Sequence, residues 1–394
     1  MIEAAVKKLH GIQQALLDTL ATVDDKDCRR QFHHDISPIG WHLMHTVFTE
    51  NLWLREHILN DGTLNGDWHR WYVPANIAKS ERGRSLPELK KIIEMVSTLQ
   101  AKNRKLLSQG EKRLLEHPLM KEAYLVYFLI QHHAMHLETI RLALVQKHIS
   151  NQKDHRLQNI LRACAPQKQC LEVIAGHYDI GSNDKVICFD NEHTRHQQNL
   201  QTFSIGKKPV SNAEYLGFIE NHGYQNRSWW SETGWRWCEQ NQVQAPDHWR
   251  QNGHGHWYGH DQNGICDLPA DAAVYGLSWH EACAYARYAG GRLPHEYEWE
   301  AACSCAAMDG VGQVWEWCLN TFKPYPGFRA FPYKAYSSPW FDGQHYVLRG
   351  ACRYSADVLH RISLRNFHYA WKQHICAGLR VAYDDRKTAE NKTQ

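Results

Sequence analysis

The pattern of apolar residues changes near residue 165, and this change constrains the fold more than any other feature. Before it, apolar residues recur at helical spacing, as in MIEAAVKKLHGIQQALLDTL. From LEVIAGHYDIGSNDKVICFD onward the chain has short strand-like runs, turn residues and many tryptophans and tyrosines. The 394 residues also exceed what one ordinary core needs. We therefore predict an α+β protein with a helical domain over residues 1–165 and a second domain over residues 166–394.

Four helical stretches are predicted in the first domain. The opening stretch is the first, and Ser37 as N-cap with Pro38 as first helical residue predicts the start of the second. The third is LPELKKIIEMVSTLQAKNRKLL, and the fourth runs from about Pro118 to His148. Four such helices are typical of an up-and-down bundle, whose core is a common place for a metal site.

The second domain is predicted to contain two short helices. Ser211 caps SNAEYLGFIENHG, whereas Ser278 and Glu281 form a capping box in SWHEACAYARYAGG, which Gly290 ends. The stretch between them, WWSETGWRWCEQNQVQAPDHWRQNGHGHWYGH, is polar and aromatic, so we predict a long irregular loop with a functional role. The last residues, DDRKTAENKTQ, are predicted to form a disordered tail.

The composition limits the classes of partner and the cellular location that we expect. The formal net charge is +3, and no basic run of the kind that binds nucleic acid is present, so we expect small-molecule partners and no nucleic acid. No apolar run approaches the roughly 18 residues of a membrane span, and the start lacks a compact apolar signal core, so we expect a cytoplasmic protein. The twelve cysteines form no C-x-x-C pair, which favours reduced thiols.

The segment QHHAMHLETI carries the strongest chemical signal. His132 and His136 lie four residues apart, about 40° around a helix axis, and can bind one metal ion from one face. Glu138 projects about 120° from the first and about 160° from the second, so this helix cannot offer all three. Any third protein ligand comes from elsewhere, and Glu138 is expected to orient a neighbouring group.

The second helix offers the candidate for that third ligand. His45 shares an inward-facing stripe with Phe48 and Leu52, whereas His42 is expected to support a ligand and His133 to pack or face solvent. A histidine on an apolar face is more often a hydrogen-bonded core residue than a ligand, and two histidine-bearing helices in one bundle favour the metal site. Imidazole suits zinc, iron and nickel, so the residues leave the metal open.

Ten motifs occur along the whole chain in a characteristic order. They are SPIGWHLMHT, the H-x-x-x-H-x-E of QHHAMHLETI, FDNEHTRH, PVSNAEYLGFIENHGY, GLSWHEACAYARYAGGRLPHEYEWEAA, GQVWEW, PYPGFRAFPY, VLRGACRY, LRNFHY and CAGLRVA. With these motifs the first domain resembles a DinB-type bundle, and the second resembles the sulfatase-modifying-factor domain of formylglycine-generating enzymes, which has a C-type-lectin-like fold. Together they resemble the ergothioneine-type sulfoxide synthases, the EgtB family.

The resemblance implies a non-haem Fe(II) held by His45, His132 and His136, with O2 as co-substrate. The implied reaction joins the imidazole C2 of hercynine (N-α-trimethylhistidine) to a thiol donor and oxygenates the sulfur to a sulfoxide. Three protein ligands leave three positions for hercynine, thiolate and O2. Tyr325 in PYPGF is the implied catalytic proton donor.

The resemblance also implies substrate contacts. Asn366 and Phe367 match positions that line the hercynine pocket, which the second domain is expected to complete. The trimethylammonium group needs aromatic faces, which Phe367, Trp371 or Trp315 would supply. A donor with carboxylates needs guanidinium partners, for which the first domain offers two arginines. These candidates are Arg82 and Arg84. Arg365, Trp315 and Trp317 are expected mainly as scaffold.

Departures from the family pattern keep alternatives open. Met135 stands where members commonly carry a glutamine that can bond the bound imidazole, and His368 stands where some carry a carboxylate. A selenoneine synthase of the wider family, which joins hercynine to a selenosugar, is the alternative function, and the stretches SPIGWHLMH and TENLWLRE resemble that branch. Formylglycine generation is a further one, although Ser355 and His360 occupy the aligned positions of its cysteine pair. An inactive lectin-like binding protein is the alternative from another class.

Overall fold

The computed structural model describes residues 1–151, 157–184, 188–305, 307–332 and 334–384. The chain forms two compact units. The helical unit comprises Met1–Gln152, Asp184–Ile187 and Tyr354–Leu359, and the second unit comprises Lys153–Asn183, Cys188–Arg353 and His360–Gln394. The predicted α+β class, with a helical domain before a sheet-rich one, is confirmed. The exact boundary at residue 165 stays a prediction, and the predicted disordered tail lies outside the described residues apart from Asp384.

The helical unit is built around four long helices. Its α-helices are α1 Ile2–Asp18, α2 Asp25–Arg29, α3 Ile39–Asn51, α4 Trp68–Tyr72, α5 Leu89–Gln109, α6 Lys112–Leu115 and α7 Tyr124–Ser150. Helices α1 and α3 each pack against α5 and α7, as expected of a bundle. A π-helical turn over Leu52–Leu59 continues α3. Within the described ranges, no helix combines the length and apolar character needed to cross a bilayer.

The predicted start of the second helix is wrong by one residue. Helix α3 begins at Ile39, and Pro38 with an extended backbone (ψ 148°) is its N-cap. Ser37 does not cap the helix, and its hydroxyl accepts a hydrogen bond of 2.6 Å from Arg82. The predicted fourth helix is also divided, since the 3₁₀ segment Pro118–Ala123 is interrupted by non-helical backbone at Lys121 and Glu122, and α7 begins only at Tyr124.

Within its described residues, the second unit contains short strands and four α-helices. The strands are β1 Cys170–Val173, β2 Gly176–Ile180, β3 His196–Leu200, β4 Phe203–Gly206, β5 Trp249–Gln251, β6 Trp257–Asp261, β7 Gly264–Cys266, β8 Trp315–Thr321, β9 His345–Arg349, β10 Asn366–Tyr369, β11 Ala377–Gly378 and β12 Ala382–Asp384. Their sheet orders are β1–β4–β12, β2–β3, β5–β6–β7 and β10–β9–β8–β11. All pairs are antiparallel except β8 with β11, which is parallel.

The helices of this unit are α8 Asn212–Glu220, α9 Glu232–Asn241, α10 Trp279–Tyr288 and α11 Glu296–Cys305. Both predicted caps are confirmed, because the hydroxyls of Ser211 and Ser278 accept from backbone N–H groups three residues later in complete capping boxes. Gly290, with φ +77°, follows the end of α10 as predicted.

The predicted long irregular loop between these helices is wrong. It contains α9, whose N-cap Ser231 accepts a hydrogen bond of 3.1 Å from the N–H of Gly234, followed by β5 and β6. Trp230 and Trp249 are 6% and 1% exposed, so these two tryptophans of the stretch belong to the core. The polar composition of this stretch misled the prediction. Helix α9 fully buries only two small residues, Gly234 and Cys238.

Buried ion pairs hold the sheet-rich core. Arg380 forms two hydrogen bonds with Glu316, of 2.8 and 2.9 Å, and the indole N–H of Trp299 donates to the same carboxylate. Arg365 pairs in the same way with Glu296. All of these side chains are nearly inaccessible, so the carboxylates and guanidiniums compensate one another inside the unit.

Candidate metal centre

Three histidines from two helices of the helical unit converge. His45 comes from α3, and His132 and His136 come from successive turns of α7. One ring nitrogen from each lies within 4.8 Å of the others. The Nε2 atoms of His45 and His132 are 3.2 Å apart. Two imidazole nitrogens bound at right angles to one ion, with bonds of about 2.1 Å, are about 3 Å apart, so this separation fits a shared ion.

The neutral state of the three imidazole rings also favours metal binding. Burial lowers the pKa of His45 to about 4 and holds the pKa values of His132 and His136 well below the ordinary 6.5, so the three rings are neutral at pH 7. The Nδ1 atom of His45 lies 2.7 Å from the carbonyl oxygen of Tyr72. Because a carbonyl can only accept, Nδ1 carries the proton and Nε2 keeps the lone pair that a metal needs.

His42 supports the cluster from the side. Its Nδ1 atom lies 2.9 Å from Nδ1 of His136, so one of the two nitrogens carries the proton between them. When His136 offers Nε2 to an ion, its Nδ1–H donates to His42 and fixes the ring. Burial lowers the pKa of His42 to about 3, so it remains a neutral acceptor. This contact agrees with the supporting role expected for His42.

His133 points away from the cluster into a buried polar network that the sequence analysis missed. Its Nε2 atom lies 2.7 Å from Oε1 of Glu50, and neither side chain is accessible. Glu50 also accepts hydrogen bonds from Gln13 (2.6 Å) and Asn103 (3.0 Å). One signal was present in the sequence, since Gln13 lies within the apolar stripe of α1.

Glu138 is occupied elsewhere, as its direction on the helix predicted. Its carboxylate accepts a hydrogen bond from the hydroxyl of Ser355, which belongs to the segment of the helical unit over Tyr354–Leu359. One turn further along α7, Arg141 donates to the carbonyl oxygen of Tyr354 at 2.8 Å. The carboxylate therefore fastens this segment to α7 and is not part of the metal group.

The two predicted donor-binding arginines differ in their surroundings. Arg82 is 5% exposed, and its guanidinium donates to Ser37 Oγ and to two backbone carbonyl oxygens. Arg84 is exposed and pairs with Glu81 at 2.5 Å. Met135, between the two ligands of α7, is partly exposed. Substrate contacts of all three stay predictions, and the engagement of Arg82 with protein acceptors speaks against its having one.

Tyr325, the predicted proton donor, lies inside the second unit. It is 2% exposed, and its hydroxyl donates to Oε2 of Glu296 at 3.2 Å. The guanidinium of Arg365 lies 3.9 Å from its ring centroid. Burial raises the pKa of the phenol well above its ordinary value, so it stays protonated. Its catalytic role stays a prediction.

The predicted hercynine contacts lie on and after β10. Asn366 accepts a hydrogen bond of 2.8 Å from the N–H of Phe367, whose ring stacks on Phe322 at 4.2 Å. Trp371 is 45% exposed and stacks on Tyr369 at 4.4 Å. Exposed and stacked aromatic faces are therefore present, and their binding of hercynine stays a prediction.

Comparisons with known proteins agree with this architecture. Residues 8–140 match the DinB superfamily, and residues 158–310 match the sulfatase-modifying factor enzyme 1-like domain. The hercynine oxygenase of Mycolicibacterium thermoresistibile is 29% identical over an alignment of 431 residues that covers 94% of this chain and 93% of that protein. The chain is similar to EgtB-like hercynine oxygenases over more than nine-tenths of its length. The hercynine oxygenase of Mycobacterium tuberculosis is 33% identical over 250 residues, which cover 52% of this chain and 58% of that protein.

Similarity to hercynine oxygenases covers more of the chain than similarity to formylglycine-generating enzymes does. The formylglycine-generating enzyme of Bos taurus is 29% identical over 157 residues, 35% of this chain and 40% of that enzyme. The twelve cysteines, all within the described residues, are free thiols, as predicted. Cys352, next to the segment aligned with the cysteine pair of those enzymes, is fully buried.

Proposed function

We propose that this chain is a non-haem iron enzyme that joins hercynine to a thiol donor with O2 as oxidant. The imidazole C2–H and the S–H bonds break, a C–S bond and a sulfoxide form, and O2 accepts four electrons to give the sulfoxide oxygen and water. The observation that supports this proposal most directly is the convergence of His45, His132 and His136 as neutral imidazoles. The similarity to hercynine oxygenases supports the substrate.

The donor set fits iron, although it does not select iron by itself. Three neutral nitrogens suit zinc and nickel as well. An oxygenase needs a metal with redox chemistry, however, and zinc has none. His45, His132 and His136 would hold the metal, which would supply redox chemistry with O2. His132 and His136 are partly exposed, which leaves the cluster open to small molecules.

The remaining side chains would bind and orient the substrates. Tyr72 and His42 hold two ligand rings by hydrogen bonds. Asn366, Phe367 and Trp371 are proposed to bind hercynine, with aromatic faces for its trimethylammonium group. Tyr325 is the proposed proton donor, with Arg84 near the donor substrate and Met135 near the bound imidazole of hercynine. These assignments rest on the resemblance.

Reconstitution tests the proposal. Metal-free protein is loaded with Fe(II) under anaerobic conditions and mixed with O2, hercynine and γ-glutamylcysteine or cysteine, and the product mass is measured. We expect a sulfoxide, and loss of both metal and product in His132→Ala. The matched control, His10→Ala, removes an exposed histidine of α1 and should change neither. No product with any donor, selenosugar included, would overturn the proposal.

A selenoneine synthase is the second candidate. Two departures from the family pattern leave the chalcogen donor open: Met135 stands where members commonly carry a glutamine, and His368 stands where some carry a carboxylate. A selenosugar in the same reconstitution distinguishes the candidates, because a C–Se product carries the isotope pattern of selenium. An iron content far below one ion per chain, with no change in His132→Ala, would instead favour an inactive binding protein.

A further inference from the structure

Three buried side chains of the helical unit, Arg82, Trp41 and the proposed ligand His45, stack on one another and form a cluster. The indole of Trp41 lies nearly parallel to the imidazole of His45, with ring centroids 4.7 Å apart and planes 9° apart. The guanidinium carbon of Arg82 lies 4.0 Å from the centroid of the same indole. All three side chains are less than 9% exposed. The cluster therefore covers one face of the His45 ring with a rigid aromatic group.

Each member of the cluster is fixed by a carbonyl oxygen of the chain between residues 71 and 77. Three donors share this arrangement: Trp41 Nε1 donates to Trp71 (2.8 Å), His45 Nδ1 to Tyr72 (2.7 Å) and Arg82 Nη2 to Pro74 (2.8 Å). A further nitrogen of Arg82 donates to Ser37 Oγ, directly before α3. The hydrogen bond to Tyr72 fixes the His45 ring along its edge, and the indole fixes it across its face.

The charge of Arg82 has no carboxylate partner within the described part of the chain. Burial lowers its pKa only to about 10, so it is a cation at neutral pH. A buried cation is costly unless other groups compensate it, and here the compensation comes from carbonyl oxygens and the indole face. A guanidinium held in this way is poorly placed to bind a substrate, and well placed to hold Trp41.

We propose that Trp41 and Arg82 are positioning residues for His45: the indole sets the plane of the imidazole, and the guanidinium holds the indole. This inference rests on the proposed metal centre. It assigns Arg82 a different role from the donor-binding one implied by the family resemblance. Groups that orient a ligand ring change metal affinity by about 10- to 100-fold when they are removed.

Cobalt(II) titration of the anaerobic metal-free protein tests this role without catalysis, because the visible absorption of Co(II) reports ligand geometry. We expect Trp41→Leu and Arg82→Gln to weaken Co(II) binding about tenfold or more and to shift the spectrum. Trp41→Phe keeps a flat ring and should restore most of the affinity. Arg82→Lys keeps the charge without the planar fork and should restore less.

Arg70→Gln is the matched control, since Arg70 lies over Trp71 at 4.9 Å but on the exposed surface. It should bind Co(II) as the unchanged protein does. Circular dichroism and urea unfolding verify that each metal-free variant folds, and Trp41→Phe and Arg82→Lys decide the matter where the harsher changes do not fold.

The outcomes separate the two proposals. Unaltered Co(II) affinity and spectrum in every folded variant, with binding lost in His132→Ala, would overturn the positioning role and leave the metal centre standing. An Arg82→Gln protein with unaltered Co(II) binding and a raised KM for the donor would do the same and restore the substrate role. Failure of the unchanged protein to bind Co(II) or Fe(II) would overturn the metal centre itself.

Discussion

At the residue scale, Glu281 is a buried carboxyl whose ionisation is coupled to folding. The Tyr224 hydroxyl donates to Oε1 at 2.5 Å, and Ser278 and Gln373 donate to Oε2. Burial, the largest cause, raises its pKa from the ordinary 4.5 to about 7. The folded protein therefore holds this proton more tightly than the unfolded chain. Its contribution to stability is full below about pH 4.5 and is lost as the pH rises through about 7.

We predict that Glu281→Gln removes this fall in stability, because glutamine keeps the capping geometry and cannot ionise. Urea unfolding between pH 5 and 8 measures it. Glu214→Gln, which changes the capping-box carboxylate of α8, controls for the altered cap. An equally steep fall in Glu281→Gln and in the unchanged protein would contradict the prediction.

Single residues also show where sequence reasoning ends. The capping boxes at Ser211 and Ser278 follow from spacing alone, since both partners lie within one turn. The burial of Arg82 does not, because its contacts with Ser37 and Trp41 join positions more than forty residues apart. A loop arginine is usually solvated, and only the tertiary structure shows that this one is enclosed.

At the element scale, Glu50 joins the four long helices of the bundle. It lies on α3 and accepts hydrogen bonds from Gln13 of α1, Asn103 of α5 and His133 of α7. Glu50→Ala leaves these buried donors without an acceptor, so we predict a loss of about 3 kcal/mol in the free energy of unfolding. Urea unfolding of the metal-free protein measures it. Glu94→Ala, an exposed carboxylate of α5, should cost little, and a similarly small loss for Glu50→Ala would refute the prediction.

The elements themselves were predictable to different degrees. Helical periodicity identified the four long helices, and helix geometry paired His132 with His136 while separating Glu138. Periodicity missed α9, because this amphipathic helix buries few apolar side chains. It also missed the buried positions of Glu50 and Asn103, because polar residues inside a bundle interrupt the apolar pattern that reveals a helix. The pairing of strands β10, β9, β8 and β11 depends on contacts distant in sequence, which local patterns do not encode.

At the scale of the whole molecule, four neutral histidines make the metal-free protein sensitive to acid. Burial lowers the pKa values of His42, His45, His132 and His136. The unfolded chain therefore takes up protons that the folded protein excludes. Their contribution is full above about pH 6.5 and is lost as the pH falls below it, by up to about 1.4 kcal/mol per pH unit for each histidine.

We predict that His42→Leu, which removes one of these groups outside the proposed ligand set, makes the fall in stability between pH 6.5 and 5 less steep. The slope of the free energy of unfolding against pH measures the effect. His10→Leu removes an exposed histidine instead and should leave the slope unchanged. Equal slopes in His42→Leu and the unchanged protein would count against the linkage.

Metal binding should stabilise the helical unit, whereas acid destabilises it. All three proposed ligands belong to the helical unit, and a metal that binds only the folded protein stabilises it by about 2.7 kcal/mol at a free concentration 100 times Kd. We predict that Co(II) at pH 7 slows hydrogen exchange of peptides from α3 and α7, and that a chelator reverses the effect. Peptides from β8 and β9 serve as the internal control, because no proposed ligand lies on them. Equal protection by Co(II) in His132→Ala would show that the ion acts elsewhere.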